Sequence, residues 1–252
     1  MPRNLFFIIA LLVLLFVVIL PGQAAAAVTT NSREPELRIF DGAKGTMQSS
    51  FFAFSKGFRG GGTVAIADVN GDGANDIIVG AGPGGGPQVR VFSSSGNLLG
   101  EFFAYSEGYR GGVKVASCDL DNDGRAEIIT GTGQGGGAQV RTFSLDGSSV
   151  FTPGFLAFNK KFRGGMNVAC GDVNGDGSND IVVGVGIGAE PKVRVFSRYG
   201  VSLHLDITPY AQRDQGGVSV AVANVDKGKE SEIITGIYRF GRSQFKVYKT
   251  DA

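Results

Sequence analysis

The chain has 252 residues, a formal net charge of +1, 41 glycines, two cysteines and no tryptophan. This length suits one sizeable domain, and the near-neutral charge argues against a nucleic-acid partner. The glycines lack a collagen period and stand beside short alternating apolar runs, which is typical of tight turns in an all-β protein.

The N-terminus has the three parts of a signal peptide. Arg3 supplies a positive charge, an uncharged apolar run covers 5–20, and an alanine run at 24–27 offers small-residue cleavage sites. The apolar run is shorter than the roughly 18 residues that indicate a membrane-spanning helix, and an uncleaved anchor is the alternative. The predicted division is a signal peptide at 1–27, a linker at 28–33 and a folded domain at 34–252.

The folded domain repeats a unit of about 52 residues. Four segments begin at Asp68, Asp119, Asp172 and Asn224, and each places a polar loop before an apolar run. A second run follows, which reads QVRVF, QVRTF, KVRVF or QFKVY, and then an aromatic stretch that ends in paired glycines. Each unit holds four short alternating runs, which matches the four-stranded antiparallel blade of a β-propeller.

The ends of the domain are out of phase with the repeat. The domain opens with EPELRIF at 34–40, a mid-repeat segment, and closes on QFKVY at 244–248, which has the same phase. We therefore predict an all-β fold: a β-propeller of four-stranded antiparallel blades, with four or five blades. An open arc that closes by self-association is the alternative to a ring within one chain.

Three of the four loops carry side-chain oxygens at positions 1, 3, 5 and 9 and a glycine at position 6. Several carboxylates in one turn repel each other, and Ca²⁺, which takes six to eight oxygen ligands, relieves that repulsion. The backbone carbonyl at position 7 is a natural further ligand. The predicted ligands are Asp68, Asn70, Asp72, Ala74 and Asp76; Asp119, Asp121, Asp123, Arg125 and Glu127; and Asp172, Asn174, Asp176, Ser178 and Asp180.

Two other interpretations of these loops are disfavoured. The first half of each loop matches an EF-hand, but position 12 is Val79, Thr130 or Val183, where an EF-hand has a bidentate glutamate. Magnesium is disfavoured because it retains several waters. A polar β-turn without metal is the remaining alternative, and three loops with the same spacing weigh against it.

The fourth loop, at 224–232, has lost the pattern. Asn224 stands at position 1, Gly228 at position 5, and Lys229 replaces the glycine. We predict that Lys227 and Lys229 neutralise the remaining acids, so that this loop is empty or binds calcium weakly. The chain then holds one calcium ion in each of the other three loops.

The repeated units resemble FG-GAP repeats, which are related to VCBS repeats and occur in the propeller of integrin α-subunits. The resemblance extends over about 35–252, although the repeats are fewer than in an integrin propeller. It implies loops that bind calcium within a blade, and a role in adhesion or ligand binding. The matching residues are the acidic loops at 68–76, 119–127 and 172–180 and the GAGP at 80–83 or GTG at 131–133 that follows.

We therefore expect a secreted or cell-surface calcium-binding module for an extracellular protein or glycan. We expect no enzyme, because the clustered carboxylates nearly all belong to the calcium loops. A lectin, or less favourably a polysaccharide-acting lyase or hydrolase, is the alternative. Membrane contact is expected only through an uncleaved N-terminus.

Three further patterns have structural interpretations. Cys118 and Cys170 lie one step out of register on matching strands, so we expect opposite strand faces and two buried free thiols; a disulfide, which an exported protein could form, is the alternative. The aromatic element that begins at Phe54 and ends in Arg-Gly-Gly is interpreted as packing between blades rather than as a sugar pocket. An exposed polar face is expected for the cations of QVRVF and its counterparts, which are Arg38, Arg90, Arg141, Arg194 and Lys246.

Overall fold

The structure is a computed structural model that describes residues 24–29, 36–41, 44–151, 153–226, 228–239 and 242–250. Every regular element in these ranges is a β-strand, which confirms the all-β prediction. A search of the same ranges finds no helix with the length and apolar character needed to cross a membrane. The apolar run predicted at the N-terminus lies outside them. The strands form five antiparallel sheets, which we number in chain order.

Three sheets have four strands each, and neighbouring strands follow one another along the chain. The prediction of four-stranded antiparallel units is therefore confirmed. Sheet 2 contains β4 (Gly62–Ala67), β5 (Asp76–Ala81), β6 (Gln88–Phe92) and β7 (Leu98–Phe103); sheet 3 contains β8 (Val113–Cys118), β9 (Glu127–Thr132), β10 (Gln139–Phe143) and β11 (Phe155–Leu156); sheet 4 contains β12 (Met166–Gly171), β13 (Asp180–Val185), β14 (Val193–Phe196) and β15 (Ser202–Ile207).

Sheets 1 and 5 have three strands each in the described part of the chain. Arg38 in sheet 1 lies opposite β1, just as Arg90 lies opposite β5, so sheet 1 has the second, third and fourth strands of the unit. β1 includes four residues of the predicted signal peptide and two of the predicted linker. Sheet 1 contains β1 (Ala24–Thr29), β2 (Glu36–Asp41) and β3 (Met47–Phe52); sheet 5 contains β16 (Ser219–Ala223), β17 (Glu232–Arg239) and β18 (Arg242–Tyr248).

The sheets stack face against face. The first strands β4, β8, β12 and β16 lie side by side, as the inner strands of a propeller do. The second strands β5, β9 and β13 are buried at every position because they lie inside a sheet that is covered on both faces. We call the face toward the following sheet the forward face. On the forward face of sheet 2, Val89 and Val91 share a buried cluster with Val113 and Ile128 of sheet 3.

Cys118 and Cys170 form a disulfide between β8 and β12, with their Cα atoms 6.3 Å apart. The expectation of free thiols was wrong. Cys118 pairs with Glu127, whereas Cys170 pairs with Ile181, so the two cysteines do lie on opposite faces of their strands. Consecutive sheets stack with the forward face of one sheet against the opposite face of the next. Two cysteines on opposite strand faces therefore point toward each other across the gap between sheets 3 and 4.

The third-strand cations do not form an exposed polar face, and that expectation was also wrong. Four of them are half-buried and donate to a backbone carbonyl just beyond the fourth strand of the preceding sheet. They thereby bridge consecutive sheets. The bonds are Arg90 to Ala53 at 2.8 Å, Arg141 to Ala104 at 2.7 Å, Arg194 to Ala157 at 3.1 Å and Lys246 to Pro209 at 2.6 Å.

The aromatic–glycine element packs between sheets, as predicted, because Phe54 and Phe58 lie in the apolar cluster that joins Leu37 of sheet 1 to Ile77 of sheet 2. Phe54 and Phe58 meet edge to face with centroids 5.5 Å apart, and the Arg59 guanidinium donates to the carbonyl of Lys56 at 2.7 Å, which closes its own turn. A Cβ on Gly60 would lie 2.1 Å from the carbonyl oxygen of Pro83, so only glycine permits this approach of two backbones.

Candidate metal centre

The predicted calcium loops join the first strand of a sheet to its second strand. They follow β4, β8 and β12, and position 9 of each loop is the first residue of the buried second strand. Position 1 and positions 3 to 7 of each loop are half-buried or exposed, whereas the apolar residue at position 2 is buried. The strand register therefore places all three loops at the same end of their sheets.

Local hydrogen bonds hold the first loop closed. The Asp68 carboxylate accepts from the backbone nitrogens of Gly71 and Gly73, at 2.7 Å each. The Asn70 amide nitrogen donates to the Asp72 carboxylate at 3.0 Å. Gly73, at position 6, has a φ of +83°, which a side chain would strain. Positions 1, 3 and 5 are therefore drawn into one small turn.

The third loop repeats the first. Asp172 accepts from the backbone nitrogens of Gly175 at 2.7 Å and Gly177 at 2.9 Å. Asn174 donates to Asp176 at 3.0 Å. The two loops share aspartate, asparagine and aspartate at positions 1, 3 and 5, and the same sequence gives the same turn.

The second loop has an aspartate at position 3 and brings its carboxylates together. Oxygens of Asp119, Asp121 and Glu127 lie within 4.8 Å of one another. Asp123 is not in this group, and its carboxylate accepts a hydrogen bond from the backbone nitrogen of Arg125 at 2.8 Å. This set consists of oxygen donors alone, which suits a hard divalent cation such as Ca²⁺.

The acid at position 9 closes each loop from inside, a role that the sequence analysis missed. Asp76, Glu127 and Asp180 are 2%, 7% and 3% exposed. Each accepts a hydrogen bond from the backbone nitrogen at position 2, where a buried apolar residue anchors the loop. The donors are Val69 at 3.2 Å, Leu120 at 2.8 Å and Val173 at 3.3 Å. The buried apolar residue at position 2 is the sequence signal that indicates this bond.

Burial and neighbouring acids oppose ionisation at position 9. Burial, together with the smaller effect of the nearby Asp121 and Asp119, raises the pKa of Glu127 to about 7. Burial likewise raises the pKa of Asp180 to about 6. A buried acid that is costly to ionise beside other acids fits a site whose charge a cation neutralises.

The position 7 residues Ala74, Arg125 and Ser178 follow the position 6 glycine in each loop. Their backbone nitrogens donate to the position 5 carboxylate, at 2.8 Å in all three loops. This bond orients the peptide unit at position 7. The use of its carbonyl oxygen as a ligand stays a prediction.

The fourth loop keeps the hydrogen bond between the position 2 backbone nitrogen and the position 9 acid, but it has lost the acidic turn. Glu232 is buried and accepts from the backbone nitrogen of Val225 at 2.8 Å, as its counterparts do. The Lys249 ammonium pairs with Asp226 and lowers the pKa of that carboxyl. Lys227 lies outside the described residues and Lys229 is exposed. The cation that pairs with this loop comes from beyond β18, which no local motif indicates.

Comparisons with known proteins agree with the repeat. The family model described as "FG-GAP-like repeat" matches residues 68–130 and 119–183. Both matched ranges begin at position 1 of a candidate metal loop. The resemblance expected from the sequence is therefore confirmed.

Integrin alpha-8 is similar in sequence to most of this chain. The mouse (Mus musculus) protein is 27% identical over 219 residues, which cover 81% of this chain and 16% of the integrin. The chicken (Gallus gallus) protein is 27% identical over 222 residues, which cover 82% and 17%. The chain thus spans a small part of the length of these relatives.

A solved structure with a similar fold is that of rhamnogalacturonan lyase YesW. It aligns with a TM-score of 0.50 and 15% identity, over 88% of this chain and 58% of the lyase. This likeness concerns the fold alone. The two stretches that match the FG-GAP-like repeat model begin on the loops described above, and the similarity to integrin alpha-8 extends over most of the chain, so the candidate metal loops lie in the part of the chain that resembles FG-GAP repeats.

Proposed function

We propose that this chain is a calcium-stabilised binding module that acts outside the cytoplasm and takes a protein ligand. The observation that carries the proposal is the recurrence of one oxygen-rich loop in three consecutive sheets, each with a buried acid at position 9. The similarity to integrin alpha-8 supports adhesion or ligand binding as the role, and the predicted signal peptide supports export.

Calcium has a structural role in this proposal. Each ion is held by the side chains at positions 1, 3, 5 and 9 and the carbonyl at position 7, and it joins the first strand to the second. The fourth loop stays empty because Lys249 already pairs with Asp226. The ion neutralises carboxylates that otherwise repel one another, so metal binding stabilises the folded chain.

The same residues support a non-catalytic role. Among the described residues, the acids whose pKa burial raises above the ordinary value are Asp76, Glu127 and Asp180, and each belongs to a calcium loop. Acids held by a structural ion are not free to transfer protons. We therefore propose binding rather than catalysis.

A glycan ligand is the second candidate, and one cavity favours it. A cavity of about 480 Å³ is lined by Phe54, Phe58, Gln88 and Arg90, among others. Arg90 and Gln88 both donate to Glu101, at 2.7 and 3.2 Å, which fixes polar groups beside two aromatic rings. Apolar rings beside fixed hydrogen-bonding groups suit a sugar. A glycan array with an Arg90→Ala control separates this candidate from a protein ligand.

Native mass spectrometry of the exported protein with and without calcium tests the proposal. We expect three bound ions. Asp119→Asn is expected to remove one ion, whereas Asp226→Asn, a matched change in the fourth loop, removes none. A protein that binds no calcium at millimolar concentration, or that loses an ion with Asp226→Asn, contradicts the assignment.

A further inference from the structure

The place that the cavity takes between sheets 1 and 2 recurs in the next two repeat units with different side chains. Phe54 and Phe58 line the cavity and belong to the apolar cluster that joins those two sheets. The aligned residues of the next unit lie between sheets 2 and 3, and those of the following unit lie between sheets 3 and 4. In chain order the aligned sets are Phe54, Phe58, Ala81, Gly85 and Gln88; Tyr105, Tyr109, Thr132, Gly136 and Gln139; and Phe158, Phe162, Val185, Ala189 and Lys192.

Hydroxyl groups occupy this place between sheets 2 and 3. The Tyr105 hydroxyl donates to the backbone carbonyl of Gln139 at 3.0 Å. The Tyr109 hydroxyl donates to the backbone carbonyl of Gly133 at 2.7 Å. Thr132 adds a third hydroxyl, which bonds within its own turn. Two tyrosines therefore supply donors to carbonyls that lie between the sheets.

Apolar atoms occupy the same place between sheets 3 and 4. Val185 has two carbon atoms more than Ala81, and Ala189 has a Cβ where Gly85 has none. Val185 and Ala189 pack in one apolar cluster with the two phenylalanine rings of their own unit. Close packing is thus achieved here with carbon instead of hydroxyl groups.

The cavity between sheets 1 and 2 has neither kind of filling. Its two rings are phenylalanines, which carry no hydroxyl, and the residues aligned with Val185 and Ala189 are Ala81 and Gly85. All four of these small or hydroxyl-free residues line the cavity, whose volume is about 480 Å³. This volume lies in the range of small-molecule sites.

Phe58 and Tyr109 hold their rings in the same position. A Cβ added to Gly60 would clash with Cζ of Phe58, and a Cβ added to Gly111 would clash with Cζ of Tyr109. The missing hydroxyl of Phe58 therefore leaves space instead of a shifted ring. The carbonyl of Gly82 is the counterpart of the one that accepts from Tyr109.

The groups around this space suit a ring that carries several hydroxyls. The carbonyls of Gln88 and Gly82 correspond to the two that accept from tyrosine hydroxyls in the next unit. The Arg90 and Gln88 side chains are both held by Glu101, at 2.7 and 3.2 Å, and they add fixed donors. A sugar hydroxyl donates and accepts at once, and the phenylalanine rings offer apolar surface to the C–H face of a sugar.

We propose that the cavity between sheets 1 and 2 binds one sugar residue of a glycan. Its hydroxyls replace those of Tyr105 and Tyr109 and donate to the carbonyls of Gln88 and Gly82, while its apolar face lies against the phenylalanine rings. The inference rests on the glycan candidate of the proposed function, because it names the place where the glycan binds. A tyrosine of a protein ligand suits the cavity less well, since it brings one hydroxyl to two carbonyls.

Variants that copy the neighbouring units test the inference. The probes are the methyl glycosides of glucose, galactose, mannose and fucose, titrated with the full exported protein and followed by saturation-transfer NMR. Phe58→Tyr with Ala81→Thr installs the hydroxyls of the next unit, and Ala81→Val installs the methyl groups of the following one. We expect at least one glycoside to bind, and each variant to weaken it by about tenfold or more.

A matched control separates filling of the cavity from a general effect. The substituted residues already occur at the aligned positions of this chain, so we expect both variants to fold, and thermal unfolding checks this. Phe52→Tyr adds the same hydroxyl to a ring that is 37% exposed and does not line the cavity. This control is expected to leave glycoside binding unchanged.

Three outcomes overturn the inference. These are no binding of any of the four glycosides, equal affinity of the original protein and the filled variants, and tighter binding of p-cresol, an analogue of the tyrosine side chain, than of every glycoside. Glycan binding that the filled variants leave unchanged refutes this site and keeps the glycan candidate. A protein that binds no calcium refutes the proposed function instead, whatever its affinity for sugars.

Discussion

The side-chain amide nitrogen of Asn179 lies 2.6 Å from the backbone carbonyl oxygen of Asp119. Asn179 is position 8 of the third loop and Asp119 is position 1 of the second, so the bond joins two candidate calcium sites directly. The backbone nitrogens of Ala126 and Ser231 make the same link to Asp68 and Asp172, at 2.7 Å each. Each candidate site is thus supported by the loop of the following sheet.

Asn179→Ala should therefore disturb the second site although Asn179 is not a ligand. Loss of one hydrogen bond is expected to lower the free energy of unfolding by about 1 kcal/mol and to weaken calcium binding at the second loop. Calorimetric titration of calcium and thermal unfolding measure the two effects. Asn97→Ala, in an exposed turn, is the control, and an equal effect of both variants would refute the link.

Glu127→Gln should change stability in opposite directions with and without calcium. Without metal, the variant removes a buried carboxylate that other acids repel, so we expect a higher melting temperature in EDTA. With calcium it removes a ligand, so we expect a lower melting temperature. Differential scanning fluorimetry in both conditions checks this, and a shift of the same sign in both contradicts the site.

The metal-free protein should lose stability as the pH rises from about 4.5 to 7. Burial raises the pKa of Glu127 to about 7 and of Asp180 to about 6, from ordinary values of 4.5 and 3.8. The folded state therefore holds these protons more tightly than the unfolded state, and its advantage disappears as they dissociate. Melting temperatures in EDTA across this range measure the trend.

Excess calcium should abolish or reverse that trend, because the ion binds the ionised carboxylates. The same pH series with millimolar calcium provides the comparison. Parallel curves with and without calcium would show that these acids do not meet the metal.

The Cys118–Cys170 disulfide should stabilise the stack of sheets. Replacing both cysteines with serine is expected to lower the free energy of unfolding by about 2–4 kcal/mol. Thiol titration of the denatured, unreduced protein should detect no free thiol. Two reactive thiols under those conditions, in protein secreted under oxidising conditions, would contradict the disulfide.

The fourth loop should regain calcium when its sequence is restored. Asn224→Asp, Gly228→Asp and Lys229→Gly, combined with Lys249→Ala, rebuild the acidic turn and remove its paired cation. We expect one additional ion in native mass spectrometry. The three loop changes without Lys249→Ala are the control and should bind it more weakly, because the lysine competes with the ion.

The parts of the fold that depend on neighbouring residues were predictable from the sequence. The strand pattern and the loop spacing are local and recur, so the second-strand residues and the closed turn at 68–76 follow from reading one unit. The turn bonds of Asp68 and Asp72 are equally local.

The parts that depend on stacking were not predictable. Cys118 and Cys170 meet because two sheets face one another, and one strand's register does not reveal that relation. Lys249 pairs with Asp226 across 23 residues, and Arg90 reaches Ala53 across 37. In each case the contact is fixed by which strands become neighbours, which the repeat pattern alone leaves undetermined.

The disulfide also determines what a protease could release from this molecule. It joins residues 52 apart, and the segment between them contains the second candidate metal loop and the last three strands of sheet 3. A single backbone cut within that segment leaves the two fragments covalently attached. Proteolytic nicking at the exposed turns of sheet 3 should therefore be silent in a non-reducing gel and visible only after reduction.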